Sequence, residues 1–414
     1  MNIFKTSAYS AMSQATSLAV GLISVKVVAS QIGPDGLALQ GQFINFTSIM
    51  IIFATGAIGA GVIKYLAEYT GNAAMQLKVI RTAITTTFTC SLLAAIVTLV
   101  MSRWVAMHTL KDDSYTSVYW IYAIFLPLLS FNTLFSFILN GLKKIQILTF
   151  VNIFTSIVNL IFLILLANSY KIYGVLVAAS FVSLLVFAVH IYFFSRYKWF
   201  PLRDLKPQWD KEFAVKLFKF STMSILAGFG MPFAQMLIRD RLIEHISLTD
   251  AGYWQTVTRI SDFYLSFLVS VLSIYLLPKL AELKKDEEIK HEIWQTAKYI
   301  FPLIIVMTLT IYMGKDLLIK YLLTEEFLPA RSLFKYQLLG DVFKVGGWIL
   351  SNILWAKAMT RKYLIVDGFF LVMYVVISYA CINYYGLIGA TIGFLITYIF
   401  YFIIMVAVNR KFVF

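Results

Sequence analysis

The sequence predicts an all-helical protein that crosses a lipid bilayer about twelve times, with its helices in two similar halves. Three observations predict this fold: the composition, the spacing of apolar runs and a weak internal repeat. Of the 414 residues, 60% are hydrophobic and only 14% are charged, whereas soluble chains carry about 25% charged residues. Lipid must therefore solvate much of the surface. Helices suit that solvent because they satisfy their own backbone hydrogen bonds.

Apolar runs recur along the whole chain, and a bilayer core of about 30 Å requires about 20 helical residues. The first half has six predicted spans, at 7–30, 38–66, 79–105, 115–141, 146–168 and 171–195. The second half has six more, at 213–239, 251–277, 293–313, 332–356, 363–382 and 385–408. We therefore predict an N-terminal lobe at 1–195, a cytoplasmic linker at 196–212 and a C-terminal lobe at 213–414.

Basic residues are unevenly distributed between the two predicted sides of the membrane. Roughly two thirds of the 35 Lys and Arg fall at the termini and around the loops after the even-numbered spans. The positive-inside rule places these regions in the cytoplasm, and two cytoplasmic termini require an even number of spans. The basic excess thus indicates a membrane surface rather than nucleic acid.

The two halves resemble each other at an offset of about 214 residues. Phe4 to Ser7 matches Phe218 to Ser221, and Leu66 to Glu68 matches Leu280 to Glu282. Because six spans is an even number, both halves enter the membrane from the same side. This predicts parallel repeats related by a pseudo-two-fold axis along the membrane normal, a plan typical of secondary transporters.

Charged residues inside the spans are the first candidates for a functional site, because a charge at the bilayer centre is costly. In the eighth span, Gln255, Arg259 and Asp262 share one helical face, and Arg259 is predicted to pair locally with Asp262. In the tenth span a second polar stripe runs along the helix: Gln337, Asp341, Lys344, Trp348 and Asn352.

A cavity lined by Arg and Lys suits an anionic substrate, and phosphate is the natural candidate because Arg can bind it bidentately. Aromatic side chains near these charges can stack on sugars, although an interfacial belt is the favoured role for most of them. The cation Lys26 in the first span has two open interpretations, a site residue or a side chain that snorkels to the interface. Asp367 is predicted to form an ion pair near Arg361 and Lys362.

Two further stripes are polar but uncharged, and we interpret them as interhelical packing. One lies in the fourth span and the other in the fifth: Asn132, Ser136 and Asn140, then Asn152, Ser156 and Asn159. The sequence shows no Walker motif, no Ser/His/Asp constellation and no metal-ligand spacing. No loop exceeds roughly 20 residues. We therefore predict no enzymatic activity, no catalytic residue, no metal and no cofactor.

Several segments carry a family resemblance when they are taken together. They are Gly33 to Leu37, Leu205 to Asp210, Tyr253 to Asp262, Tyr275 to Pro278, Gln337 to Gly346 and Ala356 to Ala358. In this combination the chain resembles the Wzx flippases over nearly its whole length. The likeness is strongest from about 200 to 360 and is nearest to the enterobacterial lipid III branch.

The resemblance implies a MATE-like fold of two six-helix lobes around a central cavity. It implies a flippase that moves undecaprenyl-pyrophosphate-linked oligosaccharide, an O-antigen or related surface glycan, across the bacterial inner membrane by alternating access. A glycan polymerase and a chain-length regulator are the implied partners, beside membrane lipids. By position, Asp262, Asp341 and Lys344 match charged sites of the lipid III branch. Arg259 stands where that branch would have a small polar residue, which suggests a different glycan.

In the resulting hypothesis Arg259, Lys344 and Lys26 bind the pyrophosphate. Asp262 and Asp341 position these cations or carry a coupling proton or Na⁺. Four more residues are predicted to contact sugar or to line the cavity: Gln255, Gln337, Trp348 and Asn352. Three alternatives stay open: a cation-coupled multidrug exporter of the MATE type, a lipid II-type flippase and a non-transporting scaffold for glycan polymerisation.

Overall fold

The computed structural model describes residues 3–196 and 209–413, and in these ranges the chain is helical with no β-strand. The first set of helices is α1 (Ile3–Ala54), α2 (Gly59–Glu68), α3 (Ala73–Val100), α4 (Ser102–Thr109), α5 (Thr116–Gly141) and α6 (Ile145–Arg196). The second set is α7 (Lys211–His245), α8 (Leu248–Val271), α9 (Leu277–Glu282), α10 (Asp286–Leu322), α11 (Phe334–Ala356), α12 (Thr360–Tyr385), α13 (Leu387–Val408) and α14 (Arg410–Val413).

Two of these helices are long enough to cross a bilayer twice, and each is broken at one non-helical residue. In α1 the break is Gly33 (φ 64, ψ −166), which Pro34 follows. A positive φ is readily available to glycine, and proline cannot continue the hydrogen-bond ladder. In α6 the break is Lys171 (φ 52, ψ −133). The predicted separate spans on either side of each break are confirmed.

The described residues supply the twelve predicted spans. By length and composition alone, seven helical segments can cross a membrane, and the segments Tyr9–Ala54 and Ile145–Arg196 each contain one of the two breaks. These seven segments therefore account for nine spans. The less apolar helices α7, α8 and α11 supply the other three. Four of the charged residues singled out above lie on α8 and α11: Arg259, Asp262, Asp341 and Lys344. The predicted multi-pass helical membrane fold is confirmed.

Three of the predicted spans contain a break in the helix. The second span is interrupted between Ala54 and Gly59, where Gly56 (φ 67) and Ala57 (φ 53) have positive φ. The third ends at Val100 and restarts as the short α4. The eighth ends in a π-helical turn at 272–276 before α9. Hydropathy does not register such breaks because the apolar composition continues through them.

The helices pack as two compact units. Unit 1 comprises Met1–Gln31 and Gln42–Phe233, and unit 2 comprises Ile32–Gly41 and Ala234–Phe414. The chain thus passes from unit 1 to unit 2 within α7, one residue after Pro232. The predicted linker at 196–212 lies largely outside the described residues, so the predicted lobe boundary stays a prediction.

In unit 1 the first part of α7 completes the core. Leu217 is fully buried in a cluster with residues of α2, α3 and α5, including Leu66 and Leu134. A Cβ on Gly61 would lie 3.1 Å from Leu217, and Ser221 Oγ donates to the Gly56 carbonyl at 3.1 Å. Glycine on α2 therefore allows α7 to approach closely.

In unit 2 the segment 32–41 lies along α8. Thr249 Oγ1 donates to Asp35 Oδ1 at 2.6 Å. A Cβ on Gly41 would lie 2.5 Å from Gln255 Cδ. Both contacts join residues 214 positions apart, which is the predicted repeat offset. Corresponding segments of the two repeats therefore touch each other here.

Candidate functional site: a charged cluster in unit 2

Lys344 on α11 is the centre of a cluster that joins α8, α11 and α13. Its side chain is 7% exposed, and its Nζ lies 3.5 Å from Asp262 Oδ1 on α8. The same Nζ lies 5.0 Å from the ring centroid of Trp348, 5.6 Å from Phe394 and 5.7 Å from Tyr398. Aromatic faces attract a cation, and an ammonium has three N–H donors. The cage therefore holds a positive charge that can bind an anion.

Asp262 is the accessible member of this pair. Its side chain is 55% exposed, although α8 is a membrane-spanning helix. A carboxylate facing hydrocarbon is costly, so Asp262 must meet water or a polar ligand. An anion that approaches Lys344 therefore competes with the Asp262 carboxylate for the ammonium group. Asp262 is already partly solvated, so it can be displaced at low cost.

The predicted local pair between Arg259 and Asp262 is wrong. Arg259 Nη1 donates instead to Gln40 Oε1 at 2.6 Å, while Asp262 pairs with Lys344 across two helices. Within the described residues Arg259 forms no salt bridge. Its guanidinium thus keeps its net positive charge beside the neutral amide of Gln40. Both Arg259 and Asp262 have partners that are distant in sequence, in place of the expected pairing with each other.

Asp341 is completely buried, one helical turn from Lys344. Tyr264 Oη donates to its Oδ2 at 2.5 Å, and Gln337 Nε2 donates to its Oδ1 at 3.4 Å. A buried carboxylate is tolerated when hydrogen-bond donors or a nearby cation compensate for lost water. The predicted residues Gln337 and Asp341 therefore form one unit with Tyr264, a contact that periodicity did not reveal.

Arg239 is a cation at the very end of the predicted seventh span, 213–239, and it was not predicted as a site residue. It is 1% exposed, its Nη2 donates to Gln255 Oε1, and its guanidinium carbon lies 5.3 Å from the Trp254 ring. The prediction failed because α7 continues to His245, beyond the expected end of the span. The apolar residue Leu242, which is fully buried in the structure, was the feature of the sequence that indicated a longer helix.

The burial of Trp254 contradicts the predicted interfacial belt for the aromatic side chains near the charged residues. It is 1% exposed, so it lies in the interior beneath Arg239. Trp348 is half-buried against Lys344, and Tyr264 is bound to Asp341. These three rings stabilise charged groups instead of anchoring the protein at the lipid–water interface.

A cavity of about 270 Å³ in unit 2 adjoins the Lys344 cage through Trp348. Asn352, another predicted residue, lines it, with its Nδ2 donating to the Trp348 carbonyl at 2.8 Å. The lining combines two indoles with amide and hydroxyl groups: Val269, Leu272, Ser273, Leu277, Trp348, Ser351, Asn352 and Trp355. Such a surface can stack on and hydrogen-bond to a sugar ring.

Two predicted groups lie elsewhere. Lys26 belongs to unit 1 and is exposed on α1, with no salt bridge inside the described residues, so its part in a site stays a prediction. Asp367 accepts a hydrogen bond from Tyr401 Oη at 2.9 Å and forms no ion pair with Arg361 or Lys362 in the described chain. Its interior neighbours on α13 have replaced the expected boundary partners.

No group of three or more metal-binding side chains occurs among the described residues. The fold and the charged spans define a multi-pass membrane protein of the MATE transporter fold. An inward-facing multidrug resistance MATE family transporter of the MOP superfamily aligns with a TM-score of 0.79 at 16% identity, covering 95% of each chain. A MOP superfamily transporter from Pyrococcus furiosus, with a binding pocket of reverse polarity, aligns with a TM-score of 0.74. It is 15% identical and covers 100% of this chain and 97% of its own.

The sequence profile of the family described as "Polysaccharide biosynthesis protein" matches residues 41–332. This is more than half of the chain, and the chain belongs to that family. A lipid III flippase from Escherichia coli (strain K12) is 28% identical over 405 residues, which is 97% of each chain. A lipid III flippase from Shigella flexneri matches to the same extent.

Proposed function

We propose that this protein is a flippase that translocates oligosaccharide linked to a lipid through pyrophosphate. The observation that carries the proposal is the caged Lys344, a buried cation on a membrane-spanning helix whose partner Asp262 is half exposed. A charge is retained at such depth when function requires it. Full-length similarity to lipid III flippases supports the same class of substrate.

Lys344 and Arg259 bind the pyrophosphate in this proposal. Arg259 offers a planar guanidinium that matches phosphate oxygens bidentately, while Lys344 acts as a point charge. The glutamine Gln40 already holds Arg259 in place. Because its partner is a neutral amide, the guanidinium can accept a phosphate without first losing a carboxylate.

Arg239 and Gln255 act as positioning residues. Gln255 accepts a hydrogen bond from the buried Arg239, and both pack against Gly41, directly after Gln40. This arrangement orders the amides beside Arg259 without exposing a second guanidinium. Lys26 is proposed as a further phosphate-binding cation from unit 1.

Asp262 and Asp341 have different proposed tasks. Asp262 holds Lys344 until the pyrophosphate replaces it, because the two anions compete for one ammonium. Asp341, enclosed by Tyr264 and Gln337, carries the coupling proton or Na⁺ if translocation is coupled. The first sugars occupy the 270 Å³ cavity beside Trp348 and Asn352.

We infer a bacterial inner-membrane location with both termini in the cytoplasm, from the distribution of Lys and Arg. Transport runs from the cytoplasmic to the periplasmic leaflet by alternating access. A glycan polymerase and a chain-length regulator would then use the product. The protein is proposed to transport its substrate without altering it, so no enzymatic step is assigned.

Reconstitution of the purified full-length protein into vesicles tests the function. Lipid-pyrophosphate-linked oligosaccharide is placed in both leaflets, and a glycosidase added outside reports how much substrate reaches the outer leaflet. We expect nearly complete cleavage with the protein and about half without it. Cleavage of only half in both samples, or export of a cationic dye with no movement of the glycolipid, would contradict the proposal.

A further inference from the structure

Unit 1 contains a second cavity, of about 290 Å³, whose described lining residues are partly polar but include no Asp, Glu, Lys or Arg. It lies among α5, the two parts of α6 and the second part of α1. Ile51, Leu129, Val151 and other aliphatic side chains form its apolar wall. Its polar groups are amides, hydroxyls and one imidazole: Asn132, Thr133, Ser136, Asn152, Thr155, Asn159, Ser183 and His190.

Packing explains only part of this polar surface. Asn132 Nδ2 donates to the Ser183 carbonyl at 2.8 Å, and Ser156, on the same stripe as Asn152, lies 3.2 Å from Ser17 Oγ. These two contacts of Asn132 and Ser156 are the interhelical packing that the sequence predicted. In contrast, the carboxamides of Asn152 and Asn159 have no hydrogen-bond partner among the described residues.

The hydrogen bonds of Asn132 determine which ring nitrogen of His190 carries the proton. Because Asn132 Nδ2 faces a carbonyl, its Oδ1 is the atom that lies 3.2 Å from His190 Nδ1. Nδ1 must then carry the proton, and in a neutral ring Nε2 is an acceptor. His190 is 1% exposed, and its Nε2 has no hydrogen-bond partner within the described residues.

Unsatisfied polar groups at membrane depth are costly, because hydrocarbon offers no replacement for water. The buried imidazole lone pair of His190 therefore requires a polar occupant. The half-buried Asn159 and the exposed Asn152, on one face of α6, offer that occupant two carboxamides. A charged occupant is disfavoured since none of the described side chains that line the cavity is ionised. The volume is near the small end of ligand sites.

We propose that this cavity, hereafter the amide pocket, binds one neutral sugar ring, with Asn152 and Asn159 as the main hydrogen-bonding residues and His190 Nε2 accepting from a sugar hydroxyl. Sugar hydroxyls and N-acetyl groups both donate and accept, as carboxamides do. The aliphatic wall covers the apolar face of the ring. This rests on the proposed function, since the sugar would belong to the translocated oligosaccharide.

The test is binding of methyl N-acetylglucosaminide and methyl glucoside to the full-length protein in nanodiscs, measured by saturation-transfer NMR titration. The variant is N152L/N159L, with N152L alone as a milder form. Leucine is similar in size to asparagine and apolar, so the fold should persist, and thermal unfolding checks this. N140L is the matched control, because Asn140 is exposed on α5 and outside the pocket.

We expect N140L to bind like the unaltered protein and N152L/N159L to bind at least about tenfold more weakly. Equal binding by all variants would overturn the proposal. So would stronger binding of methyl glucuronide than of the neutral glycosides, or displacement of the glycoside by NaCl. A protein that binds the glycosides in this way but fails the vesicle assay would refute the flippase function and leave the amide pocket standing.

Discussion

Both units contain polar groups inside a membrane protein, but the two units stabilise these groups with different chemistry. Unit 2 buries Lys344 and Arg239 and satisfies them with a carboxylate, amides and aromatic faces. The amide pocket of unit 1 uses neutral groups such as Asn159 and His190. Two repeats of one fold have thus diverged in charge. This divergence suits a substrate with an anionic and a neutral part.

The largest expected effect comes from removing the charge that defines unit 2. Lys344→Ala should reduce restoration of surface glycan in a flippase-deficient strain by about a hundredfold, because a charge-assisted contact to pyrophosphate is lost. Lys344→Arg should retain part of the activity. Lys335→Ala is the control, since Lys335 is exposed on the same helix. Full restoration by Lys344→Ala at normal expression would remove Lys344 from the site.

Removing the buried positioning cation should act mainly on stability. Arg239→Ala leaves Gln255 without its donor in the interior, and we expect a loss of about 2 kcal/mol in the free energy of unfolding. Arg241→Ala is the matched control. Arg241 is only half-buried, and its Nε donates to Asn383 Oδ1 at 3.1 Å in an exposed position, so its loss should cost under about 0.5 kcal/mol. Denaturant unfolding in detergent measures both, and equal losses would contradict the burial argument.

Tyr264→Phe removes one donor to Asp341 and should destabilise the protein by about 1 kcal/mol. Tyr253→Phe on the same helix is the control, because its hydroxyl has no hydrogen-bond partner in the described part of the chain. A neutral effect of both changes, read from thermal unfolding, would show that the Tyr264 hydroxyl does not stabilise Asp341.

An effect of similar size is expected from the close approach of segment 32–41 to α8. A Cβ at Gly41 would lie 2.5 Å from Gln255 Cδ and 3.0 Å from Arg239 Nη2. Gly41→Ala should therefore cost roughly 1 kcal/mol through displacement of flexible side chains. Gly314→Ala, where nothing lies within 4 Å of the added Cβ, should instead stabilise α10 slightly. The same sign for both variants in thermal unfolding would refute this contact.

Much of the fold was predictable because each span must satisfy its backbone hydrogen bonds within an apolar run of fixed length. Helical spacing also grouped Asp341 with Lys344 and Gln255 with Arg259. It could not identify tertiary partners, so the local Arg259–Asp262 pair was wrong. Gln40 lies 219 residues from Arg259, and no local pattern joins them.

For the uncharged polar stripes of the fourth and fifth spans, the sequence predicted the positions of the residues but not their role. Spacing placed Asn152, Asn159 and Asn132 correctly on helix faces, but packing and ligand binding use the same residue types. Only the partners of each amide distinguish the two roles. Asn132 has partners within its unit, whereas Asn152 and Asn159 have none among the described residues.

The central claim is that the charged cluster of unit 2 binds phosphate while the amide pocket of unit 1 binds a neutral sugar. The most direct test measures binding of pyrophosphate and of methyl N-acetylglucosaminide to Lys344→Ala and to N152L/N159L in nanodiscs. We predict that Lys344→Ala loses pyrophosphate binding at least about tenfold and keeps the glycoside, and that N152L/N159L does the reverse. Loss of both ligands in each variant, or unchanged pyrophosphate binding by Lys344→Ala, would contradict this division.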